Sequence, residues 1–105
     1  MSIFDKFYKS KKWRNKRENI LRRDKYECQE CSRYGKTTLA TTVHHIFPLE
    51  TYPILRLVND NLISLCNKCH EAMHNRFSNE LTEKGIAWQN RIKTKSKVIK
   101  KHLSA

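Results

Sequence analysis

The spacing of apolar side chains predicts a helix near the start of the chain. Trp13, Ile20 and Leu21 recur at helical intervals, and Lys and Arg fill most of the positions between them. One face of such a helix is apolar and the rest is basic. The pattern therefore predicts an amphipathic helix from about Lys11 to Arg23.

The middle of the chain predicts two short strands and a second helix. Residues 39–46 are rich in Thr and Val, which favours a strand, and residues 62–66 form a second short apolar run. The two prolines within residues 47–53 make that stretch a loop. A helix is expected to begin at residue 67 or 68 and to continue to about residue 77. One of its faces would carry Cys69, His70, Met73, His74 and Phe77.

The length and the two ends of the chain limit its class. With 105 residues the chain is expected to form one domain. It has no apolar run near the ~18–20 residues of a membrane span, and its first residues lack the apolar part of a secretory signal, so we expect a cytoplasmic protein. A weakly amphipathic segment covers residues 81–98, and the basic tail over 93–101 is expected to be a frayed helix or disordered.

Positive charge is concentrated at the two ends of the chain. The net charge is +12, of which residues 1–25 contribute +7 and residues 91–105 contribute +6, while residues 26–90 contribute −1. Two basic arms beside a nearly neutral body indicate a polyanionic partner, most often nucleic acid. The alternative is a charged surface that only keeps a small protein soluble.

The four cysteines form two Cys-x-x-Cys pairs with 34 residues between them. Two such pairs suit a tetrahedral Zn²⁺ bound by four thiolates, and a structural zinc would stabilise a domain with a small core. Disulfides and unpaired core cysteines are the alternatives, and the missing export signal disfavours disulfides. The predicted zinc ligands are Cys28, Cys31, Cys66 and Cys69.

Four of the five histidines lie within the frame set by these cysteines or directly after it. His70 and His74 are four positions apart and share one helical face, and the end of the first strand supplies His44 and His45. Two histidines from a helix and one from a strand leave metal positions open, which is typical of catalytic sites. The other strand histidine would be free to act as a general base. The alternative is that all four are ordinary surface or loop residues.

Three parts of the sequence together resemble the HNH endonucleases. They are the string Val43-His44-His45-Ile46-Phe47-Pro48, the string from Asn61 to His70, and His74. The upstream Lys12-Trp13-Arg14 and the first cysteine pair look like the small HNH proteins often encoded by bacteriophages. The resemblance covers about residues 10–75.

The resemblance implies a small α+β fold, in which two antiparallel strands and a helix form a ββα-metal core beside the four-cysteine zinc site, with flanking helices. His44, His70 and His74 would bind the catalytic divalent ion. His45 would be the general base, and Asn61 would hold the loop that orients it. In this scheme residues 1–25 form a basic N-terminal helix, residues 26–79 the zinc-stapled core, and residues 80–105 a C-terminal helix with a basic tail.

The implied function is metal-dependent hydrolysis of double-stranded DNA. His45 would take a proton from the attacking water, and the products would carry 5′-phosphate and 3′-hydroxyl ends. Neutral histidine ligands would accept Mg²⁺, Mn²⁺, Zn²⁺, Ni²⁺ or Co²⁺. A monomer or weak dimer is expected to nick with low sequence specificity. The resemblance also implies work beside a phage terminase in genome packaging, in the bacterial host cytoplasm. The alternatives are a non-catalytic zinc-containing DNA-binding module and an RNA-directed or toxin nuclease.

DNA would be bound mainly through its phosphates, because a single ββα finger supplies few contacts of its own. Such contacts position a protein on DNA without reading its sequence. They are expected from the basic tail and from the basic residues of the first helix, which are Lys11, Lys12, Arg14, Lys16, Arg17, Arg22 and Arg23.

Overall fold

The computed structural model describes residues 2–78 and 80–103 and shows a small α+β fold. In chain order its elements are α1 (Ile3–Lys9), α2 (Lys11–Arg23), α3 (Gln29–Arg33), β1 (Thr42–His45), β2 (Leu62–Leu65), α4 (Asn67–Ala72), α5 (Glu83–Lys95) and α6 (Lys97–Leu103). Short 3₁₀ turns precede β2 at Pro53–Leu55 and Asn59–Asn61. The fold class and the bounds of α2 are as predicted, and both strands lie within the predicted segments. The predicted boundary at residue 79 lies outside the described residues.

The two strands pair antiparallel, and the sheet they form is buried on both faces. His44 lies opposite Ile63 and His45 opposite Leu62. Because side chains alternate along a strand, neighbouring residues enter different clusters. The cluster under α2 contains Trp13, Ile20, Leu21, Ala40, Val43 and Leu62. The cluster on the other face contains Cys28, Ile46, Phe47, Leu55, Ile63, Leu65, Met73 and Ile99. The sheet is therefore the middle layer between α2 and the helices that follow it.

The C-terminal end of α2 is fixed to β2. The Asp24 carboxylate accepts a hydrogen bond of 3.0 Å from the Ser64 N–H, and the Arg23 guanidinium donates one of 2.6 Å to the Leu62 carbonyl. These bonds give partners to backbone groups of β2 that form no hydrogen bond with β1. They also hold the position and direction of α2 relative to the sheet.

Helix α4 is shorter than expected, because its last carbonyl groups are bound elsewhere. We predicted a helix to about Phe77, but α4 ends at Ala72. The Thr82 hydroxyl donates to the Ala72 carbonyl at 2.6 Å, and the Thr82 N–H donates to the Met73 carbonyl at 3.0 Å. Carbonyls bound in this way are not available to continue the helix. His74 consequently follows the helix instead of lying on it.

Two terminal helices differ from the sequence-based picture. The tail was expected to be frayed or disordered, but α6 is an ordered helix and Ile99 is completely buried in the core. The Ser96 hydroxyl donates to the Asp60 carboxylate at 2.6 Å, which fixes the start of α6. Helix α1 was not predicted, although Ser2 and Asp5 form a capping box at its start. None of the helices in the described ranges is both long and apolar enough to cross a membrane.

Candidate active site

A cleft of about 610 Å³ opens where β1 ends, between α2 and the segment that leaves α4. Four histidines line it: His44, His45, His70 and His74. Three structural elements supply them, since the first two end β1, the third lies on α4 and the last follows that helix. The sequence placed these four residues near one another, and the structure brings all of them to this cleft.

His44, His70 and His74 form a compact group of nitrogen donors. Their ligand atoms lie within 4.8 Å of one another. Two nitrogens bound at about 2.1 Å to one ion lie at most about 4.2 Å apart, so small rotations of the rings would bring all three onto a single cation. His44 is 1% exposed, and its Nε2 has no hydrogen-bond partner among the described residues. A bound cation would supply the partner that this buried atom otherwise lacks.

The electrostatics of this group favour neutral imidazoles. Burial holds the pKa of His44 well below its usual value, and the nearby His70 and His74 lower it further. Burial also lowers the pKa of His70 and of His74, although Glu50 partly opposes the shift at His74. All three rings are therefore neutral near pH 7, which is the state in which histidine binds a metal.

His45 faces the other side of β1 and is held between two contacts. Its ring stacks on Trp13, with ring centroids 4.8 Å apart and an angle of 23° between the planes. Its Nε2 lies 3.0 Å from the Arg56 carbonyl oxygen. A carbonyl can only accept, so we assign the proton to Nε2, which leaves the Nδ1 lone pair free. Burial lowers the pKa of His45, against smaller opposing effects of the Arg56 hydrogen bond and Glu50.

Asn61 is completely buried and ties together the loop between the strands. Its Oδ1 accepts from the Phe47 N–H at 2.7 Å, and its Nδ2 donates to the Phe47 and Leu55 carbonyls, both at 3.1 Å. Its own carbonyl accepts from the Ile46 N–H at 2.8 Å. Leu55 directly precedes Arg56, whose carbonyl holds His45. Asn61 therefore fixes the loop that orients the His45 ring.

The four cysteines meet at a second cluster in the core, as predicted. Their sulfur atoms all lie within 4.8 Å of one another, and none of them is in a disulfide. The Cys31 and Cys69 sulfurs are 3.7 Å apart. Four sulfurs placed about 2.3 Å from a tetrahedral zinc lie about 3.8 Å apart, so this spacing suits a metal. Burial raises the pKa of the Cys28 and Cys69 thiols, a shift that a bound cation would oppose.

The basic residues of α2 divide into two groups. Lys16 donates to the Asn59 side chain at 2.6 Å, Arg17 to the Thr41 carbonyl at 2.7 Å, and Arg23 to the backbone near β2. Arg17 also lines the cleft. The others have exposed side chains: Lys11, Lys12, Arg14 and Arg22. The exposed group projects from α2 into solvent, whereas Arg23 is used to hold the helix to the sheet.

Two residues of the cleft had no signal in the sequence. Tyr8 of α1 and Glu50 of the inter-strand loop both line the cleft, and the Tyr8 ring lies 6.0 Å from the His45 ring. Neither belongs to a recognisable motif. The capping box of Ser2 and Asp5 could have revealed α1, but not that its aromatic residues cover His45.

Comparisons with known proteins agree on one family. A family model described as HNH endonuclease matches residues 28–76. The structure is similar to the crystal structure of the HNH endonuclease of the deep-sea thermophilic bacteriophage GVE2 with manganese ion, at a TM-score of 0.64 and 36% sequence identity. That similarity covers 83% of this chain and 82% of the other. Among curated proteins, no sequence matches the chain significantly.

The contacts of Asn61 predict a large effect of its removal. In Asn61→Ala, three buried backbone groups lose their partners, each at a cost of roughly 1–3 kcal/mol. We expect the free energy of unfolding to fall by at least about 3 kcal/mol, measured by urea denaturation. Asn15→Ala is the matched control: Asn15 is exposed on α2, and its replacement should change stability by about 0.5 kcal/mol or less. Equal stability of the two variants would contradict the assigned role of Asn61.

Proposed function

The chain is an endonuclease of the HNH family, and we propose that it hydrolyses phosphodiester bonds of DNA in the histidine-lined cleft. The main observation that supports this proposal is that two neighbouring residues at the end of β1 are suited to two different roles. His44 enters a group of three neutral nitrogen donors, while its neighbour His45 is oriented with a free lone pair. A cation-binding group beside an oriented base is what metal-assisted hydrolysis needs.

His45 is the proposed general base. With Nε2 donating to the Arg56 carbonyl, Nδ1 can accept a proton from water. The stacked Trp13 ring fixes the plane of the imidazole, and burial keeps it neutral near pH 7. Asn61 is a positioning residue, since it acts on His45 only through the loop that contains Arg56.

His44, His70 and His74 are the proposed holders of a divalent ion. Bound there, the ion would supply Lewis-acid stabilisation of the negative charge that develops on the phosphate oxygens. Three neutral ligands accept borderline ions such as Mn²⁺, Zn²⁺, Ni²⁺ or Co²⁺ as well as Mg²⁺. The similar phage endonuclease was crystallised with manganese, which makes Mn²⁺ the ion for a first assay.

Zn²⁺ is the proposed occupant of the four-cysteine cluster. The cluster joins the start of α3 to the start of α4, and so links two parts of the chain that are far apart in sequence. Structural zinc sites contribute folding free energy directly. The proposed role of this metal is to stabilise the domain, and the hydrolysis site is separate from it.

DNA binding is proposed to come from the exposed basic face of α2. Lys11, Lys12, Arg14 and Arg22 would contact phosphates, while Arg17 lines the cleft itself. Arg23 is left out of this set because it holds α2 to β2. Phosphate contacts carry little sequence information, so low intrinsic specificity follows, and a monomer with one site would nick. An association with a phage terminase, implied by the resemblance alone, stays a prediction.

Replacing a zinc ligand should unfold the domain. Structural zinc contributes on the order of 10 kcal/mol or more in small domains, as much as the whole stability of a typical protein. We expect Cys28→Ser to lose its helical circular dichroism, and wild-type protein treated with a strong chelator to lose it too. Ser32→Ala, an exposed change in α3, is the control and should keep both its zinc and its fold. Wild-type protein that melts at the same temperature without zinc would refute this role.

Removing the proposed base should abolish nicking. General bases contribute about 10²- to 10⁴-fold to a rate, so we expect His45→Ala to nick supercoiled plasmid at least about 100-fold more slowly with Mn²⁺. The matched control is His102→Ala, because His102 is exposed on α6, and its nicking rate should equal that of the wild type. Circular dichroism and Mn²⁺ titration of both variants separate loss of the base from loss of the fold or ion. Undiminished cutting by His45→Ala would exclude the proposed base, and cutting of RNA alone would exclude the DNA substrate.

Phosphate binding through α2 should be strongly dependent on salt. Log affinity falls with log salt concentration by about 0.9 for each phosphate neutralised, so we expect the Lys11→Ala/Arg14→Ala double variant to reduce that slope by about 2. Fluorescence anisotropy of a labelled duplex without added divalent ion measures the slope. Lys36→Ala, an exposed change outside the two basic arms, should leave it unchanged. A wild-type slope near zero would contradict phosphate binding.

A further inference from the structure

Phe77 is the most exposed of the large hydrophobic side chains that the structure describes. Its exposed fraction is 93%, whereas the phenyl ring of Phe47 is buried in the core. The sequence pattern had placed Phe77 on the same helical face as His70, Met73 and His74, but α4 ends at Ala72 and Phe77 lies at the surface. Leaving a phenylalanine in water forgoes roughly 1.5–3 kcal/mol of burial, so a ligand that covers the ring would gain this free energy.

The turn that carries this ring lies at the rim of the catalytic cleft. Asn75 and Ser78, on either side of Phe77, both line that cleft together with the histidines. Phe77 follows His74 by three residues, so their Cα atoms are at most about 11 Å apart. Phosphates along a DNA strand are spaced by about 3.4 Å of helix rise. A base covered by Phe77 would therefore lie within a few nucleotides of the phosphate held beside the proposed metal ligands.

The turn that carries Phe77 is held in place by its own hydrogen bonds. The Asn75 side chain accepts from the Phe77 N–H at 2.9 Å, and the Asn75 N–H donates to the Glu80 carbonyl at 2.9 Å. His74 and Leu81 form an antiparallel bridge at the base of the turn. The ring is thus presented from a fixed backbone, which lowers the entropy lost when a ligand covers it.

We propose that Phe77 stacks on an unpaired base of the substrate next to the cut site, so that the enzyme prefers DNA with locally unstacked bases. This inference rests on the proposed DNA endonuclease function. A flat ring without polar atoms matches the π-face that every nucleobase offers, and stacking of this kind does not depend on sequence. Apolar side chains at DNA-binding surfaces also insert between base pairs that are already weakened.

Charge favours DNA over a protein as the ligand of this ring. Arg76 is the preceding residue and is exposed, so a cation for the sugar–phosphate chain lies beside the ring that would cover the base. The chain as a whole carries a net charge of +12, which attracts a polyanion to the protein. A cationic groove with an aromatic platform is the general arrangement for binding single-stranded nucleic acid.

The test compares two labelled duplexes that differ only in a three-nucleotide bulge containing 2-aminopurine. Binding is measured by anisotropy without added divalent ion, so that the DNA stays intact. We expect wild-type protein to bind the bulged duplex at least about 5-fold more tightly than the paired one, since stacking on one base changes affinity by about 5- to 150-fold. We expect Phe77→Ala to lose this preference and the change in 2-aminopurine fluorescence, and Phe77→Trp to keep both.

Tyr34→Ala is the matched control, because Tyr34 is also an exposed aromatic residue, at 65%, but lies at the end of α3. It should retain the wild-type preference. Equal affinity of the wild type for the two duplexes, or an unchanged preference in Phe77→Ala, would overturn the stacking role. Plasmid nicking with Mn²⁺ is assayed on the same samples: wild-type protein that nicks but shows no preference refutes the stacking inference alone. Wild-type protein that does not nick refutes the endonuclease function as well.

Discussion

Cys66 directly precedes α4, and Cys69 lies in the first turn of that helix. The position of the cluster that they form with Cys28 and Cys31 therefore determines where α4 begins. His70 is the next residue, and on a helix it points about 100° away from Cys69. The cysteine cluster therefore sets the distance between His70 and His44 without sharing a ligand with them. A chain of 105 residues buries a limited apolar area. A metal bound at this cluster, as proposed, would join distant segments and give the cleft a rigidity that this core alone would supply poorly.

The alternation of side chains along β1 explains how adjacent histidines come to have different roles. His44 points toward the core face that contains Met73 and the cysteines, and His45 points toward α2. Both are buried, yet only His45 has its Nε2 matched to a backbone carbonyl. The nitrogen of His44 without a partner among the described residues lies with the donor group, and the hydrogen bond of His45 orients the proposed base. One residue step along the strand separates the two chemical environments.

The sequence correctly predicted the elements that depend on residues close to one another in the chain. The spacing of Trp13, Ile20 and Leu21 was sufficient for α2, and the paired cysteines were sufficient for their cluster. The end of α4 was predicted wrongly because Thr82, ten residues later, binds its last carbonyl. A contact between residues this far apart cannot be predicted from the local sequence pattern. The docking of α6 likewise depends on tertiary burial, since few apolar residues mark this basic segment as part of a core. Sequence reasoning therefore grouped the four histidines but missed Tyr8, which lines the cleft beside them.

Helix α2 would link the orientation of the proposed base to the proposed binding of DNA. Its buried face stacks Trp13 on His45, its end is fixed to β2 through Arg23 and Asp24, and its exposed face carries basic side chains. A helix of 13 residues is about 20 Å long and moves as a rigid rod. Phosphates bound on its outer face, as proposed, would therefore be placed relative to His45 by the same element that positions its ring. Such contacts are nearly blind to sequence, so any discrimination among substrates has to arise at the rim of the cleft, where side chains can reach the bases.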